Sequence, residues 1–328
     1  MSPTSSSRRP RAKPPALRPG DTVGIVAPAS AISRDGLEAG CEGLRRLGYR
    51  PIYDESILEH ELYFAGSVER RARELEQMFK RDDVRAIICA RGGYGCNYLL
   101  EHLDLAVVEA HPKIFVGYSD ITSLLTWLAD AASMVTFHGP MVIKDFAAQD
   151  GVELGSWSAA TSGNSEWSVT GEDSGARSLL TGTAEGILYG GCLSLLTASL
   201  GTAFEPWTDG TILFLEDVNA KPYQVDRMLM QLKLAGKLQG VRGIVFGEML
   251  GCVQGPDQGF TLEEVITRIV GELGVPVAYG LRSGHVSKRN ITLPIGVNVQ
   301  LNIDDDVELK FLEAAVSAPA NVAAHTRE

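Results

Sequence analysis

A chain of 328 residues is long enough for two domains at roughly 100–200 residues each. Its 45% hydrophobic and 22% charged residues describe a soluble globular protein able to bury a sizeable core, and a formal net charge of −11 argues against nucleic acid or an anionic membrane surface as the main partner. Cys41, Cys89, Cys96, Cys192 and Cys252 form an odd set with no C-x-x-C pair, which reads as the reduced thiols of a cytoplasmic protein and excludes a disulfide framework or zinc site.

Residues 1–16 carry Ser, Pro and Arg with no apolar segment behind them and read as a disordered tail, not a secretory signal. No apolar run approaches the roughly 20 residues that would cross a bilayer. Residues 23–27 are a buried strand stopped by Pro28. A helix follows from about Asp35, with Leu37, Cys41, Leu44 and Leu47 on one face, and ends at Gly48; a second strand covers residues 50–53. Strand, helix, strand implies a parallel sheet. Ser67 caps a charged helix to residue 81 that turns Val68, Ala72, Leu75, Met78 and Phe79 inward. The strand at 84–90 then runs straight into Arg91-Gly-Gly-Tyr-Gly95, at the carboxyl end of a parallel strand, where such sheets bind ligands.

The strand at 114–116 meets the helical face Ile121, Leu124, Leu125 and Leu128 within about four residues, with Gly117-Tyr-Ser-Asp120 at the corner. A serine there projects its hydroxyl above the sheet beside the first unpaired amides of a helix, the logic of a nucleophile elbow. On this stretch alone, Ser119 or Asp120 as a simple helix cap is the commoner arrangement. The first domain is read as residues 17–144, an open, Rossmann-like parallel sheet. Residues 145–186, rich in Ser, Thr, Gly and Glu, read as an interdomain connection with hairpin-like strands. A smaller, β-rich α/β domain over 187–328 includes strands at 211–215, 241–246 and 275–279, a pair of strands at 290–296 and 297–303, and a closing strand at 307–312.

An activated serine needs a base and a group that orients it. His325 lies in a polar tail, His60, His102 and His111 lie on polar surfaces, and His138 sits at a strand end. His285, in a polar loop after a glycine, has the setting of a mobile base. Glu216 emerges after the apolar run of residues 212–215 and is the best orienter, with Asp217 competing beside it. The Asp120 amide and Gly92 or Gly93 can supply two donors to an oxyanion, since glycine lets the backbone approach closely. The glycine turn fits neither G-x-G-x-x-G nor a P-loop.

Arg91-Gly-Gly-Tyr-Gly95, Gly117-Tyr-Ser-Asp120, Thr136-Phe-His-Gly-Pro140, Leu215-Glu-Asp-Val-Asn219, and Gly284-His285 with Asn290-Ile-Thr-Leu-Pro-Ile-Gly296 occur in this order in one family. From about Leu17 to Leu312 the chain resembles the LD-carboxypeptidases of bacterial murein recycling, serine peptidases that include microcin C immunity peptidases. The resemblance implies a Ser119–His285–Glu216 triad, an oxyanion hole from Gly92, Gly93 and Asp120, a cleft between two domains, no metal or organic cofactor, and a homodimer. It implies release of D-alanine from murein tetrapeptide, or in the immunity branch cleavage of an acyl-adenylate. Arg91 and Tyr94 are then candidates for the substrate carboxylate, and Trp157 and Trp167 for an aromatic contact, although a tryptophan in such a connection is more often a hydrophobic anchor. A non-catalytic two-domain binder and a cysteine enzyme using Cys89 or Cys96 are the alternatives.

Overall fold

Apolar strands alternate with one-faced helices through the first half of the chain, and in the structure, a computed structural model describing residues 10–253, 255 and 259–318, they assemble a parallel sheet. Its strands are β1 (Thr22–Val26), β2 (Arg50–Ile52), β3 (Val84–Cys89), β4 (Ile114–Gly117) and β5 (Thr136–His138). The helices between them are α1 (Arg34–Arg46), α2 (Val68–Lys80), α3 (Leu105–Ala110) and α4 (Thr122–Asp130). β1 and β4 are buried along their whole length and β3 at all but Arg85, so they read as continuous apolar runs and not as alternation. Ser33 and Ser67 cap α1 and α2, each hydroxyl accepting an amide three residues on at 3.2 Å.

The spatial order is β2-β1-β3-β4-β5, so the sheet changes its direction of growth between β1 and β3. The loops leaving the carboxyl ends of those strands, with β4 next to them, border the crevice where open α/β sheets take ligands.

The second half contributes α5 (Leu154–Ser162), β6 (Trp167–Thr170), α6 (Gly171–Ser174), β7 (Arg177–Leu180), β8 (Gly182–Cys192), α7 (Leu193–Ala198), β9 (Thr211–Glu216), α8 (Pro222–Leu234), β10 (Gly243–Gly247), α9 (Leu262–Val270), β11 (Val277–Leu281), β12 (Leu293–Ile295), β13 (Asn298–Ile303) and β14 (Val307–Phe311). Eight of these strands form a second sheet in the order β6-β14-β13-β8-β9-β10-β11-β7, parallel from β8 to β11 and antiparallel at its flanks.

Four expectations change. The pair expected at 290–303 divides between sheets: β12 runs antiparallel to β5, Leu293 opposite His138, while β13 joins β8 and β14. Gly296, at φ +100°, makes the turn that separates them. Residues 145–186 hold the helix α5, and their strands β6 and β7 lie at opposite edges of the second sheet instead of forming a hairpin. The carboxyl-terminal sheet is also the larger, with eight strands against six. Residues 10–16, expected in the tail, lie against the body: Arg11 Nε donates to the Ala129 carbonyl at 3.2 Å, Ala12 bridges Met134 and Pro15 bridges Ser317. Residues 1–9 and His325 fall outside the described residues. Among the described residues no helix is long and apolar enough to cross a membrane.

Candidate active site

After β4 the backbone is extended at Tyr118 (φ −153°) and then left-handed at Ser119 (φ +64°) before a 3₁₀ turn, Ser119–Ile121, leads into α4. A non-glycine residue held there costs on the order of 1–3 kcal/mol, so its surroundings must impose it. Gly117 allows the tight turn, since a Cβ on it would stand 2.8 Å from Ile121 Cγ2. Ser119 is half-buried, and among the described residues its hydroxyl makes no hydrogen bond. Neither Ser119 nor Asp120 caps α4. The buried Asp120 reaches sideways instead, Oδ2 accepting the Cys96 amide at 2.8 Å and fixing the end of the glycine turn.

Gly92 lies directly against the serine: a Cβ on it would stand 2.7 Å from Ser119 Cβ, 2.9 Å from Oγ and 3.3 Å from the Asp120 amide nitrogen. Gly93 is at φ +110°, pressed on Ser30, whose hydroxyl accepts the Tyr94 amide at 3.1 Å and whose amide donates to the Gly92 carbonyl at 3.4 Å. Gly92, Gly93 and Asp120 are therefore neighbours around Ser119. Arg91 and Tyr94 are exposed beside them; Arg91 Nη1 donates to the Ala31 carbonyl, and Tyr94 packs among Tyr63, Phe64 and Tyr98.

Glu216 ends β9 and is fully buried, and its Oε2 accepts both the backbone amide (3.0 Å) and Nδ1 (2.8 Å) of His285. With Nδ1 as donor, the basic nitrogen is Nε2. Burial by itself would raise the Glu216 pKa, but the positive charge of His285, its hydrogen bond and the nearby His138 ring outweigh it and hold the carboxyl at about 2. For His285, burial pulls the pKa down, yet the charge and hydrogen bond of Glu216 leave it above the ordinary value. His138 stands 3.8 Å from Glu216 Oε1, too long for a hydrogen bond, and its Nδ1 pairs with Ser283 Oγ at 2.9 Å.

The two sheets meet at this point. The Tyr118 ring stands edge-on to the His285 ring at 5.1 Å and 88°, and the Cys192 amide at the end of β8 donates to Thr122 Oγ1 at 3.0 Å. The structure thus gathers Ser119 and its glycine turn at one end of the first sheet and the Glu216–His285 pair at the facing end of the second.

The two tryptophans are taken up by packing. Trp157 is buried, donates Nε1 to the Tyr49 hydroxyl at 3.0 Å and lies edge-on to Phe146; Trp167 stacks on Phe311 at 4.0 Å. They anchor α5 and β6, the commoner arrangement for a tryptophan in such a connection.

A supporting layer escaped the sequence reading. Asn290 is buried and clamps the Gly284 peptide from both sides, Oδ1 accepting its amide at 3.0 Å and Nδ2 donating to its carbonyl at 3.1 Å. Gly284 (φ +94°) has no room for a side chain, since a Cβ would stand 2.7 Å from Glu216 Cδ and 2.8 Å from His138 Cε1. The signal was present: Asn290, Gly284 and His138 all lie in the quoted motifs, without a role attached. Among the described residues no group of three or more His, Cys, Asp or Glu is placed to hold a metal ion.

Family models for the amino-terminal and carboxyl-terminal domains of LD-carboxypeptidases match residues 23–139 and 185–301. The chain belongs to the LD-carboxypeptidase family. Within it, the chain is 39% identical to a probable murein peptide carboxypeptidase of Bacillus subtilis, over 94% of this chain and 96% of that protein. It is similar to the crystal structure of a muramoyltetrapeptide carboxypeptidase from Oxalobacter formigenes, with 30% identity and a TM-score of 0.79 over 89% of this chain and 99% of that one. A microcin C7 self-immunity protein of Escherichia coli is 27% identical over 88% of this chain and 92% of its own length. This LD-carboxypeptidase is accordingly a serine-type peptidase of mixed α/β fold.

Proposed function

We propose that this LD-carboxypeptidase hydrolyses the L,D-peptide bond of murein tetrapeptide and releases D-alanine, with Ser119 as nucleophile, His285 as general base and acid, and Glu216 as the carboxylate that orients and charges His285. The proposal rests on the buried Glu216–His285 pair facing, across Tyr118, a serine held in a left-handed corner. The names of the Bacillus and Oxalobacter relatives support the substrate class.

Ser119 Oγ attacks the carbonyl before the terminal residue while its proton passes to His285 Nε2. The Ser119–His285 hydrogen bond is completed when substrate fills the site, since catalytic contacts often tighten only in the Michaelis complex. Negative charge on the carbonyl oxygen rests on the amides of Asp120 and of Gly92 or Gly93. Collapse breaks the C–N bond, the leaving amine takes the proton from His285, and a water deprotonated by His285 then releases the acyl group and restores the Ser119 hydroxyl. Arg91 and Tyr94 grip the terminal carboxylate, the guanidinium being suited to bidentate pairing. The protein works as a cytoplasmic homodimer, and light scattering after gel filtration reads the dimer directly.

Mass-spectrometric product analysis with murein tetrapeptide, murein tripeptide and a seryl-adenylate analogue side by side tests the proposal. Loss of one alanine from the tetrapeptide alone is expected, and Ser119→Ala should fold normally and lose nearly all turnover. Cleavage of the adenylate analogue alone would move the chain to the immunity branch, and normal turnover in Ser119→Ala would end the serine mechanism.

A further inference from the structure

α2 carries two adjacent arginines into the interior, and they are treated differently. Arg70 has a carboxylate, Glu74 Oε1 at 3.0 Å. Arg71 is fully buried and, among the described residues, forms no salt bridge. Its Nη1 donates to two backbone carbonyls at once, Pro28 O at 2.7 Å and Gly95 O at 2.9 Å, and its guanidinium lies over the Phe64 ring at 4.8 Å. A buried cation whose nearest carboxylate, Asp120, attracts it only through space is expensive, and backbone carbonyls repay that only where their geometry is exacting. Pro28 leads out of β1 and Gly95 closes the glycine turn after β3, so one nitrogen ties the two loops that flank the point where the sheet changes direction.

The turn is held from every side. Ser30 takes the Gly92 carbonyl and the Tyr94 amide, Arg71 takes the Gly95 carbonyl, and Asp120 takes the Cys96 amide. Gly95 itself admits no side chain, since a Cβ would stand 2.7 Å from Arg71 Nη1. Gly92, three residues before this anchor, is the residue pressed on Ser119.

We infer that Arg71 is a positioning residue for the oxyanion-binding turn: by fixing Gly95 to Pro28 it holds the Gly92 and Gly93 amides in register with Ser119. The inference rests on the serine mechanism proposed above. A misplacement of about 1 Å at such a site costs on the order of 10²-fold in rate without contact to substrate.

Lys113 supplies a matched control, because it is also a buried cation on two carbonyls, Arg81 O and Val84 O at 2.7 Å each, but at the amino ends of β3 and β4. With murein tetrapeptide as substrate and rates expressed per folded enzyme, Arg71→Met should lower kcat about 10- to 100-fold and change KM less than about 3-fold, while Lys113→Met keeps the wild-type kcat. The acid limb of kcat/KM stays in place in both, since Glu216 and His285 are untouched. A wild-type kcat in Arg71→Met, an equal loss in Lys113→Met, or a loss confined to KM overturns the inference. Should Arg71→Met fail to fold, Arg71→Lys keeps the charge but ends one bond short of the Nη1 position that meets both carbonyls, and should show the same split with a smaller loss; a wild-type kcat there is equally fatal. Ser119→Ala in the same assay separates the two ideas. If it still turns over, the serine mechanism fails whatever Arg71 does, and if it is dead while Arg71→Met is normal, only the role of Arg71 falls.

Discussion

Replacing Glu216 by Gln keeps the shape of the pair and removes its charge. One amide oxygen can still accept both the backbone amide and Nδ1 of His285, now 3.0 and 2.8 Å from Oε2, so the ring keeps its tautomer and place. What disappears is the charge whose attraction to the imidazoles outweighs burial and takes the carboxyl from an ordinary 4.5 to about 2, a net preference for the ionised form of about 3 kcal/mol. In the reaction that interaction stabilises the imidazolium formed as Ser119 loses its proton, so its loss should lower kcat on the order of 10²- to 10³-fold. The pH profile carries the sharper signature. His285 must be neutral to act as base, and Glu216 raises its pKa against burial. Without that carboxylate the pKa falls, so the acid limb of kcat/KM shifts to lower pH. Stability moves with the opposite group. A carboxyl whose folded pKa is depressed contributes above its unfolded pKa and loses that contribution as pH falls through its folded value. The stability gap between wild type and Glu216→Gln should therefore be largest near neutrality and close between about pH 4.5 and pH 2. Urea unfolding across this range and kcat/KM profiles of both proteins supply the data. An unmoved acid limb together with a kcat within about 3-fold of wild type would show that Glu216 does not act through His285.

Gly92→Ala places a methyl 2.7 Å from Ser119 Cβ, so kcat should fall about 10²-fold or more with a smaller change in melting temperature. A wild-type kcat would separate the glycine turn from the serine. Burial raises the pKa of all five thiols, most strongly at Cys89, Cys96 and Cys192. Iodoacetamide should leave the native enzyme active and modify the cysteines only after unfolding. Rapid native labelling of Cys89 or Cys96 with loss of turnover would revive a cysteine mechanism.

Most of the first sheet was legible because its elements declare themselves locally by apolar run, glycine stop, one-sided helix or serine cap; α3, six residues of which only Val108 is buried, has no such stripe and escaped. Ser119 was legible as a corner, but its left-handed backbone was not, since a Cβ-bearing residue adopts that conformation only when Gly92, Gly117 and their neighbours enforce it. The pairing of β12 with β5 depends on contacts between distant parts of the chain, which no local pattern encodes. Trp157 was legible as an anchor, but what it anchors to was not, because its partners, Tyr49 and Phe146, lie in other elements. Arg71 was hidden by company, one of four charged residues in 69–73. It falls three residues after Val68 and four before Leu75, on the inward stripe itself, and a cation at such a position was the available clue.

β12 also bears on how the enzyme is made. Synthesis runs from the amino terminus, and domains fold as their residues emerge. A nascent chain that has just completed β5 has every strand of the first sheet except the one that covers the β5 edge, and that edge stays open to pairing until residue 295 has been added. The same late segment follows the loop bearing His285 and contains Asn290, which clamps the peptide beside it. Covering the β5 edge and seating the peptide beside His285 therefore depend on one short segment, residues 290–295.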